Sequence, residues 1–207
     1  MGNADDFKIL LKLILFISEN HYNLPDFFSK ITNILIFLKF KIKQTLSNFE
    51  IFHIFKKSKR ILLFLIEQQM LIIDKPIAKI MKQGQYKNRK YPEFFFPEIK
   101  AFLDENELKE ILKDIPENFE KKRQIGQNDE YICQLIRNDS IDEFISYINK
   151  TDYPINSMIN TSIFETNSYI LNDKYPNFKK DMTPIRYAAF FGSVQIFKYL
   201  YQNNAEK

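Results

Sequence analysis

The chain of 207 residues holds one cysteine and two histidines, so a search for chemistry begins with Cys133, His21 and His53. A thiol beside an imidazole could carry out acyl transfer, provided the base reaches the sulfur within hydrogen-bond distance. Cys133 lies in the apolar string YICQLI, which reads as a buried helix position, and His53 in IFHIF, which reads as a core or boundary histidine. These three residues are too scattered to give the ligand spacing of a metal site. Asp142 and Glu143 are adjacent carboxylates. On a helix such neighbours point to different sides and suit a solvated first turn. Gly2, Gly84, Gly126 and Gly192 stand alone, so no glycine-rich loop can cradle a phosphate. The residues predict no catalytic, cofactor-binding or metal site, and no cofactor.

Composition is that of a folded chain, 45% apolar and 27% charged, with 21 Phe, 11 Tyr and no Trp. The abundance of Phe, Ile, Lys and Asn also fits an AT-rich coding background. A single cysteine points to a reducing compartment, and the N-terminal MGNADDFKILLKLILFI has acids where a secretory signal needs bases. Asp6 replaces the Ser or Thr of a myristoylation signal, and no uncharged run approaches the roughly 20 apolar residues of a spanning helix. A cytoplasmic location is the expectation. Charge is uneven: Lys39 to Tyr91 carries 13 Lys/Arg against 3 Asp/Glu, and Pro92 to Glu130 carries 6 against 11. The basic stretch suggests either a face for RNA or anionic membrane, or a solvated surface with the acidic half as its neighbour. No RNA-binding signature accompanies it, and the second reading is preferred.

The elements that must position these residues read as helices throughout. Phe7, Leu10, Leu11, Ile14, Leu15 and Ile17 recur at helical steps behind an acidic first turn. Pro25 starts a second helix through Phe28, Ile31, Leu35 and Leu38 toward Leu46. Ser47 with Glu50 forms a capping box for a third, Ser58 opens a fourth, and Asp74-Lys75-Pro76 opens a fifth that stops at Gly84. Residues 85–97, QYKNRKYPEFFFP, mark a loose break, because Pro92 and Pro97 forbid a long helix there. Helical patterning resumes from Glu98 to Phe102, from Asp104 to Ile115, and from Glu117 to Ile125 before Gly126. From Asn128 onward the pattern is one of helix pairs. Ser140 with Glu143 and Ser162 with Glu165 read as two further capping boxes, the second opening a helix through Ile163, Tyr169 and Ile170.

The C-terminal stretch DMTPIRYAAFFGSVQIFKYLYQNNA is the most specific. Thr183 can cap a helix whose first position is Pro184, and Ala188 and Ala189 allow a second helix close approach. Gly192 supplies a positive φ for a tight turn, Ser193 can cap the next helix, and Asn204 suits a left-handed C-cap. A shift of 52 residues, give or take one, lays Phe144, Ile145, Tyr147 and Ile148 on Ile196, Phe197, Tyr199 and Leu200. The string from Thr183 to Ala188 resembles the T-P-L-H-x-A signature of an ankyrin repeat, with Ile185 and Arg186 as departures. The stretch from Asn128 to Lys207 is similar to a large protist family that couples a helical domain of unknown function to ankyrin repeats.

The resemblance implies an all-α fold: a helical leader over residues 1–127, then degenerate ankyrin-like helix pairs over 128–207 that end in one well-formed repeat, 181–205. It implies a non-enzymatic protein–protein interaction module that uses the concave and hairpin surface. Lys179, Lys180, Met182, Phe190 and Phe191 occupy its partner-binding positions, with both phenylalanines expected outside the repeat's own core. The partner is an unidentified protein, nucleic acid is not expected, and no transmembrane segment is expected. Such families usually continue with more repeats, so a truncated member without independent function is the alternative. Self-association through the unpaired face of the last repeat is a further expectation.

Overall fold

The computed structural model describes residues 4–20, 26–167, 170–171 and 182–205, and every element among them is helical. In chain order they are α1 Ala4–Asn20, α2 Phe27–Thr45, α3 Asn48–Phe55, α4 Lys59–Glu67, α5 Lys75–Met81, α6 Gly84–Asn88 and α7 Tyr91–Phe94. There follow α8 Phe96–Ile99, a short 3-10 helix Lys100–Phe102, α9 Glu105–Asp114, α10 Phe119–Ile125, α11 Tyr131–Arg137, α12 Ile141–Thr151, α13 Pro184–Phe191 and α14 Val194–Gln202. The all-α expectation holds. Among the described residues no helix is long and apolar enough to cross a membrane.

Local chemistry sets most boundaries. Ser47 and Glu50 form their capping box, and Ser58 and Asp74 accept from Ile61 N–H and Ile77 N–H. Asp104 and Glu107 form a further box that opens α9. Gly126 and Gly192 close α10 and α13 at φ 67° and 71°, and Asn204 follows α14 at φ 57°. Gly84 does not end a helix as expected. It opens α6, because the chain turns already at Lys82 and Gln83.

Other expected caps are not made. Ser140 and Ser193 precede α12 and α14, yet neither side chain caps its own helix. Their ψ angles are 77° and 81°, whereas the box-forming Ser47 and Asp104 are extended, at 158° and 172°. The Ser162–Glu165 box is likewise absent, and the described residues 161–167 form no helix. The Ser162 hydroxyl donates to Asp129 and accepts from Phe164 N–H, which holds a turn in place of a first helical residue. Thr183 precedes α13, but its hydroxyl has no hydrogen-bond partner. Pro25 and Tyr169 lie outside the described residues.

Two apolar cores result. The first gathers α1 to α8, from Phe7 to Ile99, and the second gathers α11 to α14, from Ile132 to Ala205. The 85–97 stretch does interrupt long helices, yet its Tyr91, Phe94 and Phe95 are fully buried in the first core. Its prolines occupy first-turn positions of α7 and α8, where a missing N–H costs nothing. Helices α9 and α10 lie between the cores in the chain. Lys82 pairs with Glu107 at 2.8 Å and Lys90 with Asp114 at 3.8 Å, so acidic residues do neighbour part of the basic stretch.

The two glycine turns differ in their surroundings. A Cβ on Gly192 would meet nothing within 4 Å, whereas one on Gly126 would sit 3.1 Å from Thr166 Oγ1. That hydroxyl donates to Gly126 O at 2.7 Å. Gly192→Ala is expected to cost about 1 kcal/mol, the strain of a left-handed alanine. Gly126→Ala should cost roughly 1 kcal/mol more, because the Thr166 bond must also shift. Urea midpoints of the two variants check the ranking.

Candidate functional site

The C-terminal helices pack first on first and second on second. Within each pair α11 meets α12 and α13 meets α14, while between pairs α11 lies on α13 and α12 on α14. The turn between helices repeats at 53 residues: Ser140 N–H bonds Leu135 O as Ser193 N–H bonds Ala188 O. Burial repeats at 52, since Phe144 and Ile148 match Ile196 and Leu200. The one-residue ambiguity in the sequence is therefore real: backbone and packing use different registers.

Polar groups lock one pair to the other. Ser193 donates its hydroxyl to Ile136 O. Asp139, at φ 51° in the first turn, accepts from Gln195 N–H at 3.1 Å and Ile196 N–H at 3.0 Å. Its carboxylate thus caps α14 from the neighbouring pair, where negative charge also suits the helix dipole.

Between α10 and α11 opens a pocket of about 360 Å³, lined among others by Asn118, Lys121, Asp129, Gln134 and Arg137. Lys122 pairs with Asp129 at 2.7 Å, and with the Ser162 hydroxyl it holds that carboxyl below the usual range against partial burial. Arg137 connects this pocket to the last helix pair. Its Nη1 donates to the Tyr187 hydroxyl at 2.6 Å, and its guanidinium lies 6.0 Å from the Phe191 ring centroid. Tyr187 and Phe191 stand 4.7 Å apart, and Phe190 meets Phe191 edge to face at 5.0 Å.

The expected partner-binding residues thus fall out unevenly. Phe190 and Phe191 are both half-buried, and Phe191 packs against the second core through Tyr187, so it is not wholly outside that core as expected. Met182 is half-buried against the same core. Lys179 and Lys180 lie outside the described residues. Sequence reasoning missed Arg137, Lys121 and Gln134. Arg137 closes a helix of the degenerate pair, and only its distance to Tyr187, 50 residues on, marks it. On the outer side of α14, Val194 and Tyr201 are exposed, and Phe197 stacks on Tyr201 at 6.4 Å.

Cys133 is fully buried, and burial pushes its thiol up to about 12, so it is a neutral thiol near pH 7. Burial likewise pushes the Tyr187 hydroxyl up. His53 lies on the exposed face of α3, beside Phe49 and 3.2 Å from Lys56 Nζ. Partial burial and that cation hold its imidazole below the usual range. His21 lies outside the described residues. Among the described residues no group of three or more His, Cys, Asp or Glu is placed to hold a metal.

The buried thiol has a pH consequence. A group neutral when folded and ionisable when unfolded stabilises the fold below its ordinary value near 9, and that contribution is lost as pH rises toward about 12. The loss amounts to about 1.4 kcal/mol per pH unit in that window. Cys133→Ala should flatten the alkaline fall of stability from pH 9 upward, leaving the share of Tyr187 at higher pH. Urea midpoints taken at steps from pH 8 to pH 11 measure the slope.

Comparison with protein-family models, with curated proteins and with solved structures returns no match. The chain is placed by its own geometry: an all-helical protein with two cores, whose C-terminal helix pairs carry an aromatic cluster beside a polar pocket.

Proposed function

We propose that the chain is a non-enzymatic protein-binding module of ankyrin-like character, and that its partner docks over Phe190, Phe191 and the Arg137 pocket. The observation that carries this reading is the position of Arg137. Its guanidinium touches Tyr187 and faces Phe191, and Arg137 also lines the pocket, so the aromatic cluster and the cleft share this residue. Arginine and large aromatics anchor interfaces more often than other residues, in pockets that water leaves on binding. The first-on-first, second-on-second packing of the helix pairs supports the ankyrin-like reading. Lys121, exposed at the rim, favours a partner segment bearing carboxylates.

The test uses positions that the fold can spare. Phe190→Glu and Lys121→Glu place charge at the aromatic end and at the pocket rim. Affinity capture with mass spectrometry should return a set of proteins with the native chain that both variants lose, with helicity unchanged. Retention of the same set by both variants would remove the site.

A further inference from the structure

Helix α2 buries only one of two apolar faces. Ile31, Leu35 and Ile42 point into the first core. At 100° per residue, Ile36, Phe37 and Phe40 fall on the opposite side, and Ile34 lies on a flank. They are exposed, Phe37 to 86% and Phe40 to 79%. Single exposed apolar residues are ordinary, but a contiguous stripe of three along one helix, two of them almost fully exposed phenylalanines, marks a surface that something covers.

Charge says what covers it. The 19 residues of α2, FFSKITNILIFLKFKIKQT, contain four lysines and no carboxylate. Lys30 and Lys41 run along one side of the stripe, and Lys43 borders it on the other; all three are exposed. The Lys41 ammonium also lies 4.7 Å from the Phe7 ring centroid, within reach of α1. A second copy docked α2 on α2 would bring eight lysines together without one helix-borne acid, so like charge opposes that dimer. The other exposed stripe, Ile9, Leu13 and Phe16 on α1, has Asp5 and Asp6 at one end and is not basic in the same way.

We propose that the outer face of α2 lies on an anionic lipid surface. Phe37 and Phe40 enter the boundary between headgroups and acyl chains, and Ile36 follows them. Lys30, Lys41 and Lys43 extend along the stripe to the headgroup phosphates, keeping their stems in the apolar layer. The helix lies in the interface and does not cross it. The face belongs to a different helix and a different core from the Arg137 site, so either proposal can fail without the other.

The absence of tryptophan supplies a clean probe. Phe37→Trp in the full chain reports insertion through its emission. With vesicles of phosphatidylcholine containing about a third phosphatidylserine, the emission should shift to the blue and the protein should float with the vesicles. With phosphatidylcholine alone, binding should be at least about tenfold weaker. Lys30→Gln, Lys41→Gln and Lys43→Gln together should weaken anionic binding by about tenfold or more. Phe37→Glu with Phe40→Glu should abolish it, and circular dichroism verifies that the helices remain. Phe190→Glu should bind vesicles like the native chain. Equal binding to both vesicle types, no binding to either, or full binding by the Phe37→Glu, Phe40→Glu variant overturns the proposal. So does a concentration-dependent dimer that this variant dissolves while the native chain ignores vesicles; the face would then belong to a second copy.

Discussion

Lys59→Ala is expected to cost about 3–5 kcal/mol, a large share of a domain's total stability. Lys59 is fully buried at the start of α4. Its ammonium donates to Ile163 O at 3.0 Å and Glu165 O at 3.2 Å, and lies 5.1 Å from the Phe94 ring centroid and 5.6 Å from that of Tyr91. One side chain thus fastens the segment before the last helix pair to the first core. Truncation leaves two carbonyls without this donor and opens a cavity beneath the rings. Lys59→Met separates the causes, since it keeps most of the stem. It should fall between native and Ala, at about 2–3 kcal/mol, the cost of the unpaired carbonyls. Urea unfolding read by circular dichroism gives both numbers; a Lys59→Ala midpoint equal to the native one contradicts the account.

Arg123→Ala should cost a similar amount at neutral pH and less in acid. Arg123 is buried on α10, with Nη2 at 2.6 Å from Glu98 and its guanidinium within 6 Å of the Phe94, Phe95 and Phe119 ring centroids. Glu98 is largely buried, and that burial raises its carboxyl pKa despite the attraction of Arg123. Removing the cation leaves a buried carboxylate without its pair, a loss of about 3–5 kcal/mol. Without Arg123 the folded-state pKa of Glu98 should rise further. A raised carboxyl stabilises the fold most when protonated, and that contribution is lost as pH rises through the folded-state value. The gap between native and Arg123→Ala should therefore be narrower at pH 4 than at pH 7. Glu98→Gln added to Arg123→Ala should narrow it at pH 7 as well.

These two residues also mark where the sequence stops being legible. Caps at Ser47, Ser58 and Asp74 can be read because donor and acceptor lie within one helical turn. Gly126, Gly192 and Asn204 can be read because few other residues tolerate positive φ. Lys59 cannot, since its carbonyl partners stand 104 and 106 residues away and a lysine in a basic run is ordinarily solvated. Asp139 capping α14 from 57 residues upstream is hidden for the same reason. Glu165 looked like the far end of a local box. It is instead buried, accepting from Asn128 N–H and Asn167 N–H, and burial raises its carboxyl pKa. Near Arg137, Phe190 and Phe191 are named by the repeat pattern, whereas Arg137 needs the fold to bring it to Phe191. Helix α2 shows a further gap. Its period of apolar residues located the buried face but left Ile34, Phe37 and Phe40 without an assignment.

The proposed docking of partners over the end of α13 is tested most directly by photo-crosslinking from position 190, with position 113 on exposed α9 as the control. A photoreactive residue replacing Phe190 should give discrete protein adducts that Lys121→Glu suppresses, while the same residue replacing Lys113 gives none. Adducts of equal yield and identity from both positions, or none from position 190, would contradict it.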